Sequence, residues 1–348
     1  MSPRRLVAWE YREIWYDGTR ITPRYAGRGG LHRGSRGRAT GAATHRTGIG
    51  ATPVLHFRVF ARTGLRLTDV VWTGARFLYV DNTTNRVAAA SPSGRPLTPF
   101  AAMPRQVEET RCRPSPGAHG FAAGDIYCHA PDNKIYRLSP DGKRVAVFAT
   151  LPHVARSDGA LTFDTVGAFG YSLLAATGRS GSASPGGVVF AIDSAGKARR
   201  VGAYHNPGGA DEIAVAPASF GSAGGQALLT VDAGKSGSMV AMDARGRVRT
   251  LLSLPDGPNP IVALTPGQAP RAGSATPGLY VADTLSRAVF VAPAVELAPY
   301  RGDVVVGSEL RGLFWAVRPR GQGFNAIELP TPLHGKAYNL EGAVYVGG

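Results

Sequence analysis

One pattern of residues recurs along this chain, and it limits the folds available more than any other feature. FLYVDNTTNRVAAASPSGR (77–95) and DIYCHAPDNKIYRLSPDGKR (125–144) share an order: apolar strand, small polar turn, basic residue, apolar strand, Ser-Pro-x-Gly, basic residue. LLAATGRSGSASPGGVVFAIDSAG (173–196) and LLTVDAGKSGSMVAMDARG (228–246) repeat it with longer turns. LYVADTLSRAVFVAP (279–293) repeats its first half. The closing glycines Gly94, Gly142, Gly196 and Gly246 stand 48, 54 and 50 residues apart. A spacing near 50 residues marks an array of similar supersecondary units.

Each unit contains more than two strands. An apolar run follows each closing glycine (PLTPFAAM, RVAVFATL, RRVGAYH, RVRTLLSL), and another precedes each unit (LTDVVWTG, HGFAAG, GALTFD, EIAVAP, NPIVALTP). The turns supply Asn, Asp, Ser and Gly, which accept tight-turn conformations at low cost. Gly (46) and Pro (26) make up about a fifth of the 348 residues, which suits short strands and turns better than long helices. A four-stranded antiparallel sheet cannot bury both faces alone; packing such sheets around an axis buries them and leaves only short edges. The reading is an all-β protein, a β-propeller. The length from Val54 onward predicts six blades, with seven as the alternative count. DVVVGSE (303–309), LFWAVRP (313–319) and FNAIELP (324–330) are the expected strands of the sixth. VLHFRVFA (54–61) and NLEGAVYVGG (339–348) compete to close the ring, and a blade shared between both chain ends would hold the circle shut.

The charge is unevenly placed. Of the net +15, residues 1–50 carry +7, from ten Arg against Glu10, Glu13 and Asp17. Residues 1–52 are too rich in Arg and Gly and too poor in apolar residues to fold alone, so they read as a disordered tail, with the propeller occupying 53–348. Nucleic-acid binding is expected, if at all, through this arm, because the body has no basic cluster interleaved with aromatics. No run of 18 apolar residues is present, and the start of the chain lacks the apolar core of a signal peptide. Cys112 and Cys128 belong to no CxxC pair, which argues against zinc; a disulfide between them is the expected pairing and implies an oxidising, extracytoplasmic setting. AGKSGS (233–238) lacks the first glycine of a phosphate loop, and G-x-S-x-G is absent. Trp72 and Trp315 read as packing between blades.

The inner strands of a propeller begin around a central channel. Polar residues stand near the starts of the expected inner strands: Asp69, His119, Asp158, Asp211 with Glu212, Asn259 and Glu341. Oxygen ligands gathered on an axis suit a hard cation such as Ca²⁺, which takes six to eight of them. Asp69, Asp158, Glu212, Asn259 and Glu341 are the candidate ligands. Asp211 and His119 are the candidate general bases if the ion activates a water or carbonyl.

LYVADTLSRAVFVA resembles the blade motif of the NHL-repeat and regucalcin/gluconolactonase propellers. That resemblance implies the propeller fold and, for the lactonase branch, one divalent metal at the channel mouth. "LEG" at Glu341, "PNP" at Asn259 and "SDG" at Asp158 are similar to three of its ligand motifs. Three functions are therefore expected in order. The first is an extracytoplasmic, monomeric binding or scaffold propeller that presents its rim or channel mouth to a small-molecule, glycan or protein ligand. The second is a metal-dependent lactone or ester hydrolase. The third is a nucleic-acid-associated protein acting through residues 1–52.

Overall fold

The chain divides into two units, Met1–Gly50 and Ala51–Gly348. The computed structural model describes residues 54–104, 109–152, 159–177, 186–205, 209–232, 236–265, 275–335 and 338–347, all in the second unit. The Arg/Gly-rich stretch 1–52 and Asp158 lie outside the described residues.

The alternation of apolar strands and polar turns builds 24 strands among the described residues. After β1 (Arg58–Arg62), blade one runs β2 (Leu67–Trp72), β3 (Phe77–Asp81), β4 (Arg86–Ala90) and β5 (Leu97–Ala102). Blade two is β6 (Arg111–Pro114), β7 (Ile126–Ala130), β8 (Lys134–Leu138) and β9 (Val145–Thr150). Blade three is β10 (Ala160–Phe163), β11 (Leu173–Ala176), β12 (Gly187–Ile192) and β13 (Ala198–Tyr204). Blade four is β14 (Gly209–Val215), β15 (Ala227–Asp232), β16 (Gly237–Met242) and β17 (Val248–Leu254). The remaining strands are β18 (Pro258–Ala263), β19 (Gly278–Asp283), β20 (Ala288–Pro293), β21 (Val304–Ser308), β22 (Phe314–Arg320), β23 (Gly323–Leu329) and β24 (Leu340–Val346). They form two sheets, in the orders β18-β21-β22-β23 and β24-β19-β20-β1. The molecule is a six-bladed propeller of four-stranded antiparallel sheets, as the repeat spacing predicts.

The last two blades exchange strands. The sequence places NPIVAL ahead of LYVADTLSRAVFVAP in one blade, but β18 pairs with β21, while β19 and β20 sit in the next blade. There β24 supplies the innermost strand and β1 the outermost. Both chain ends thus close the same blade, around a hairpin threaded in from the middle of the sequence. A 3-10 helix over Ala294–Tyr300 leads from that hairpin back toward β21.

The expected inner strand of blade two also changes. HGFAAG forms no strand; the inner strand is β6, RCRP. The reason is backbone conformation. His119 and Gly120 have φ of +53° and +86°, and two successive left-handed residues cannot extend a ladder. Cys112 and Cys128 are directly paired residues of β6 and β7 and form a buried disulfide.

The core follows from the ring. Each pair of neighbouring blades encloses its own apolar cluster. Val71, Leu78 and Val87 of blade one meet Cys112, Ile126 and Tyr136 of blade two. Ala61, Tyr280 and Val289 of the closing blade meet Val70, Phe77 and Tyr79 of blade one, with Trp72 against them. Trp315 packs among Leu228, Met239 and Ala241 across the seam of blades four and five. Both tryptophans therefore sit between blades. No described helix is long and apolar enough to cross a membrane.

Candidate functional site at the channel mouth

Antiparallel pairing puts the start of each inner strand at the same end of the blade as the end of its second strand. Residues at the starts of β2, β6, β14, β18 and β24, and at the ends of β15 and β21, therefore surround one mouth of the channel. Two arginines organise it. Arg111 and Arg113 share one side of β6, because strand side chains alternate, and Cys112 between them points the other way into its disulfide. Arg111 is 1% exposed and reaches three other blades. Its Nη2 lies 2.7 Å from Glu341 Oε2 and its Nε 3.1 Å from Glu212 Oε1. Its Nη1 donates to the Thr68 carbonyl at 2.7 Å and to Thr68 Oγ1. Arg113 links Asp69 and Glu212, both at 2.9 Å. Burial opposes the charge of Arg111, but Glu341, Glu109 and Glu212 outweigh it and hold the guanidinium firmly protonated.

The inner-strand acids meet as the sequence suggests, and their oxygens are occupied. Asp69 Oδ2 accepts the Cys112 N–H at 2.7 Å, and Oδ1 accepts the Val70 N–H at 2.9 Å. Glu341 Oε2 accepts from Asn259 Nδ2 at 3.1 Å, and Oε1 accepts from Asn339 Nδ2. Gly342 lets β24 come this close: a Cβ there would stand 2.1 Å from Asp69 Oδ1. Asp69, Glu212, Asn259 and Glu341 are thus one network, bound together by Arg111 and Arg113. His119 is apart from it. It follows the far end of β6, is exposed, and stacks on Tyr171 with ring centroids 3.7 Å apart.

A second group of acids stands at the same mouth. Ligand oxygens of Asp211 (β14), Asp232 (end of β15) and Glu309 (just after β21) all lie within 4.8 Å of one another. Asp211 was among the expected residues; Asp232 and Glu309, which end second strands, were not. Their signal was an acid closing an apolar strand, in LLTVD and VVVGSE. Asn259 adds a buried Oδ1 that has no hydrogen-bond partner.

Among the described residues, acids outnumber arginines at the mouth, and their protonation shows it. Burial, with Asp232 and Glu109 adding like charge, pushes Glu309 up to about 8. Burial and the charge of Glu109 raise Glu341. Burial lifts Asp69 to about 6 against the pull of Arg113. Because Glu309 is raised from an ordinary value of 4.5, its contribution to stability is full below about pH 4.5 and is lost as pH rises through about 8. Stability without added metal is therefore expected to fall between about pH 4.5 and pH 8, and Glu309→Gln to flatten part of that fall, Glu341 and Asp69 supplying the rest. Urea unfolding across that range checks this; an equal slope in the variant would remove Glu309 as its source.

No family model matches the sequence, and no curated protein matches it. Among solved structures the chain is similar to one in "Crystal structure of Nidogen/Laminin Complex", at 10% identity, with a TM-score of 0.52 over 80% of this chain and 83% of that one, a likeness in fold.

Proposed function

We propose that this protein is an extracytoplasmic binding propeller whose channel mouth takes a divalent cation, and that Asp211, Asp232 and Glu309 hold it. The observation that carries this reading is the convergence of three carboxylates from two blades within 4.8 Å, beside a mouth whose arginines already pair with other acids. The donor set is all oxygen, the chemistry that Ca²⁺ prefers over softer metals, and the unpartnered Asn259 Oδ1 stands at the same mouth. A dication would favour the ionised form of Glu309 and relieve the repulsion among the three. This assignment differs from the one read from sequence: Asp69, Glu212 and Glu341 serve the arginines, while Asp211 moves from base to ligand.

The disulfide and the extracytoplasmic reading support each other, because such bonds persist in oxidising compartments. The structural neighbour comes from a complex of two proteins, which favours a partner-binding role for this fold. Binding stands ahead of lactone hydrolysis on geometry: His119 lies past the far end of its inner strand, and Asp211 as a ligand is not available as a base.

Thermal unfolding in EDTA and then in millimolar Ca²⁺ tests the site. A ligand at 100 times its dissociation constant stabilises by about 2.7 kcal/mol, roughly 4 °C for a domain of this size. The rise is expected for the parent chain and is expected to vanish in Asp232→Asn. If Ca²⁺, Mg²⁺, Mn²⁺ and Zn²⁺ all leave the midpoint unmoved, the acids are structural and the cation reading falls.

A further inference from the structure

The repeated turn that closes each blade is followed by a basic residue in four successive units: Arg95, Lys143, Lys197 and Arg247. Neither the channel mouth nor the core explains this. The outer strands show where these charges concentrate. At the seam of blades one and two, β5 (LTPFAA) carries no cation, and at the seam of blades two and three β9 (VAVFAT) carries none. The seam of blades three and four gathers the most, because its outer strand β13 itself carries Arg199 and Arg200 and the facing turn adds more. Blade three supplies Lys197, Arg199 and Arg200, and blade four supplies Arg245, Arg247 and Arg249. All six are exposed.

The fold brings them together. Gly246 packs on the neighbouring outer strand, where a Cβ would stand 2.4 Å from the Val201 carbonyl oxygen. Every one of the six cations lies within four residues of that contact, on one strand or the other. At about 3.3 Å per residue, this confines them to a band on the order of 25 Å long. Two acids share these stretches. Asp193 accepts backbone N–H groups of Ala195 and Lys197 within its own turn, and Asp243 pairs with Arg247 at 2.7 Å. These stretches keep a net charge of +4. Arg249 turns toward the next seam, over the Phe324 ring of blade five at 5.6 Å and with a 2.9 Å bond to Ser222 Oγ, which leaves five cations beside the contact of Gly246 with blade three.

We propose that this seam is a docking surface for a linear acidic polysaccharide. It is independent of the channel-mouth reading. Charge complementarity gives the sign of the partner. Guanidinium groups match carboxylate and sulfate oxygens in a planar, two-point geometry. A single-stranded nucleic acid would also want exposed rings on which bases stack. None of the exposed large apolar side chains (Val54, Val59, Val147, Tyr171, Leu285, Val295) belongs to this band. The band lies on outer strands, at the side of the ring, where an extended chain can follow the seam.

The test is fluorescence anisotropy of a labelled heparin-derived octasaccharide with the full chain in about 150 mM salt, where weak non-specific attraction is screened. Arg200→Glu with Arg245→Glu is expected to weaken binding about tenfold or more. Arg58→Glu with Arg62→Glu makes the same charge change on β1, across the ring, and is expected to change it less than about twofold. Neutral Arg200→Gln with Arg245→Gln gives a milder loss of the same kind and keeps the test open if the reversed pair folds poorly. Equal losses in the two Glu pairs would show diffuse attraction and overturn the proposal, as would no loss in the seam variants. Tighter, seam-dependent binding of a DNA 12-mer would overturn it in favour of nucleic acid.

Discussion

Replacing Arg111 by Met is expected to cost about 3–5 kcal/mol of stability at pH 7.5, the range for removing one partner of a buried ion pair. The physical case rests on what Arg111 leaves behind. Glu212 and Glu341 are both buried and belong to different blades, and Arg111 contacts each. Without it, Glu341 keeps, among the described residues, amide donors from Asn259 and Asn339, which cannot balance its charge. Met fills similar volume, so the loss reflects charge and not a cavity. Two further results follow from the same cause. The cost should shrink at pH 5, because Glu341 is already raised toward protonation and a neutral acid no longer needs the arginine. Adding Glu341→Gln to Arg111→Met should recover part of the loss. Denaturant unfolding of the single and double variants at both pH values measures all three. If Arg111→Met is neutral at pH 7.5 and insensitive to pH, the arginine does not hold the mouth together, and the acids there have another source of balance.

The fold was largely legible because a propeller writes itself several times. LYVDNTTNRV, IYCHAPDNKI and LYVADTLSRAV all became second and third strands of blades, as their shared pattern requires. The exchange between the last two blades was not legible, for the same reason. LYVADTLSRAVFVA pairs equally well with any inner strand of the right length, and nothing in its alternation names β24 over β18. At the mouth, Asp69, Glu212, Asn259 and Glu341 were found because each interrupts an apolar inner strand. Arg111 and Arg113 were missed because RCRP is short, charged and ends at a proline, so it does not read as a buried strand. The cue was present in the alternation: a cysteine flanked by two arginines puts the thiol on one side and both guanidiniums on the other. His119 was misplaced in its strand because AHGFAAG was read as apolar, when its Gly and left-handed His make it a loop.

The closing glycine of each unit was read as a turn residue, and its second role leads to the other large expected effect. Gly142 has a φ of +74°, and a Cβ there would stand 2.1 Å from the Phe100 carbonyl oxygen of blade one. Gly196 faces the Phe148 carbonyl oxygen of blade two in the same way, at 2.3 Å, and Gly246 that of Val201 at 2.4 Å. The turn glycine is therefore where blades two, three and four seat on the backbone of the one before, while Gly94 of blade one meets the Phe60 ring instead. A left-handed conformation costs an L residue about 1–2 kcal/mol, and a methyl group inside backbone contact distance must also push two blades apart. Gly142→Ala is expected to cost about 3 kcal/mol or more, near the upper end for single substitutions. Gly64 separates the two contributions. Its φ is +75°, almost identical, and nothing lies within 4 Å of its added Cβ, so Gly64→Ala carries the backbone cost alone. The difference between the two variants in urea unfolding measures the blade contact. Equal losses would mean that the glycine is retained for its turn only. A larger loss at Gly142 would identify the repeated glycine as the residue that sets the spacing between blades, which explains its presence at Gly142, Gly196 and Gly246 in units whose other turn residues differ.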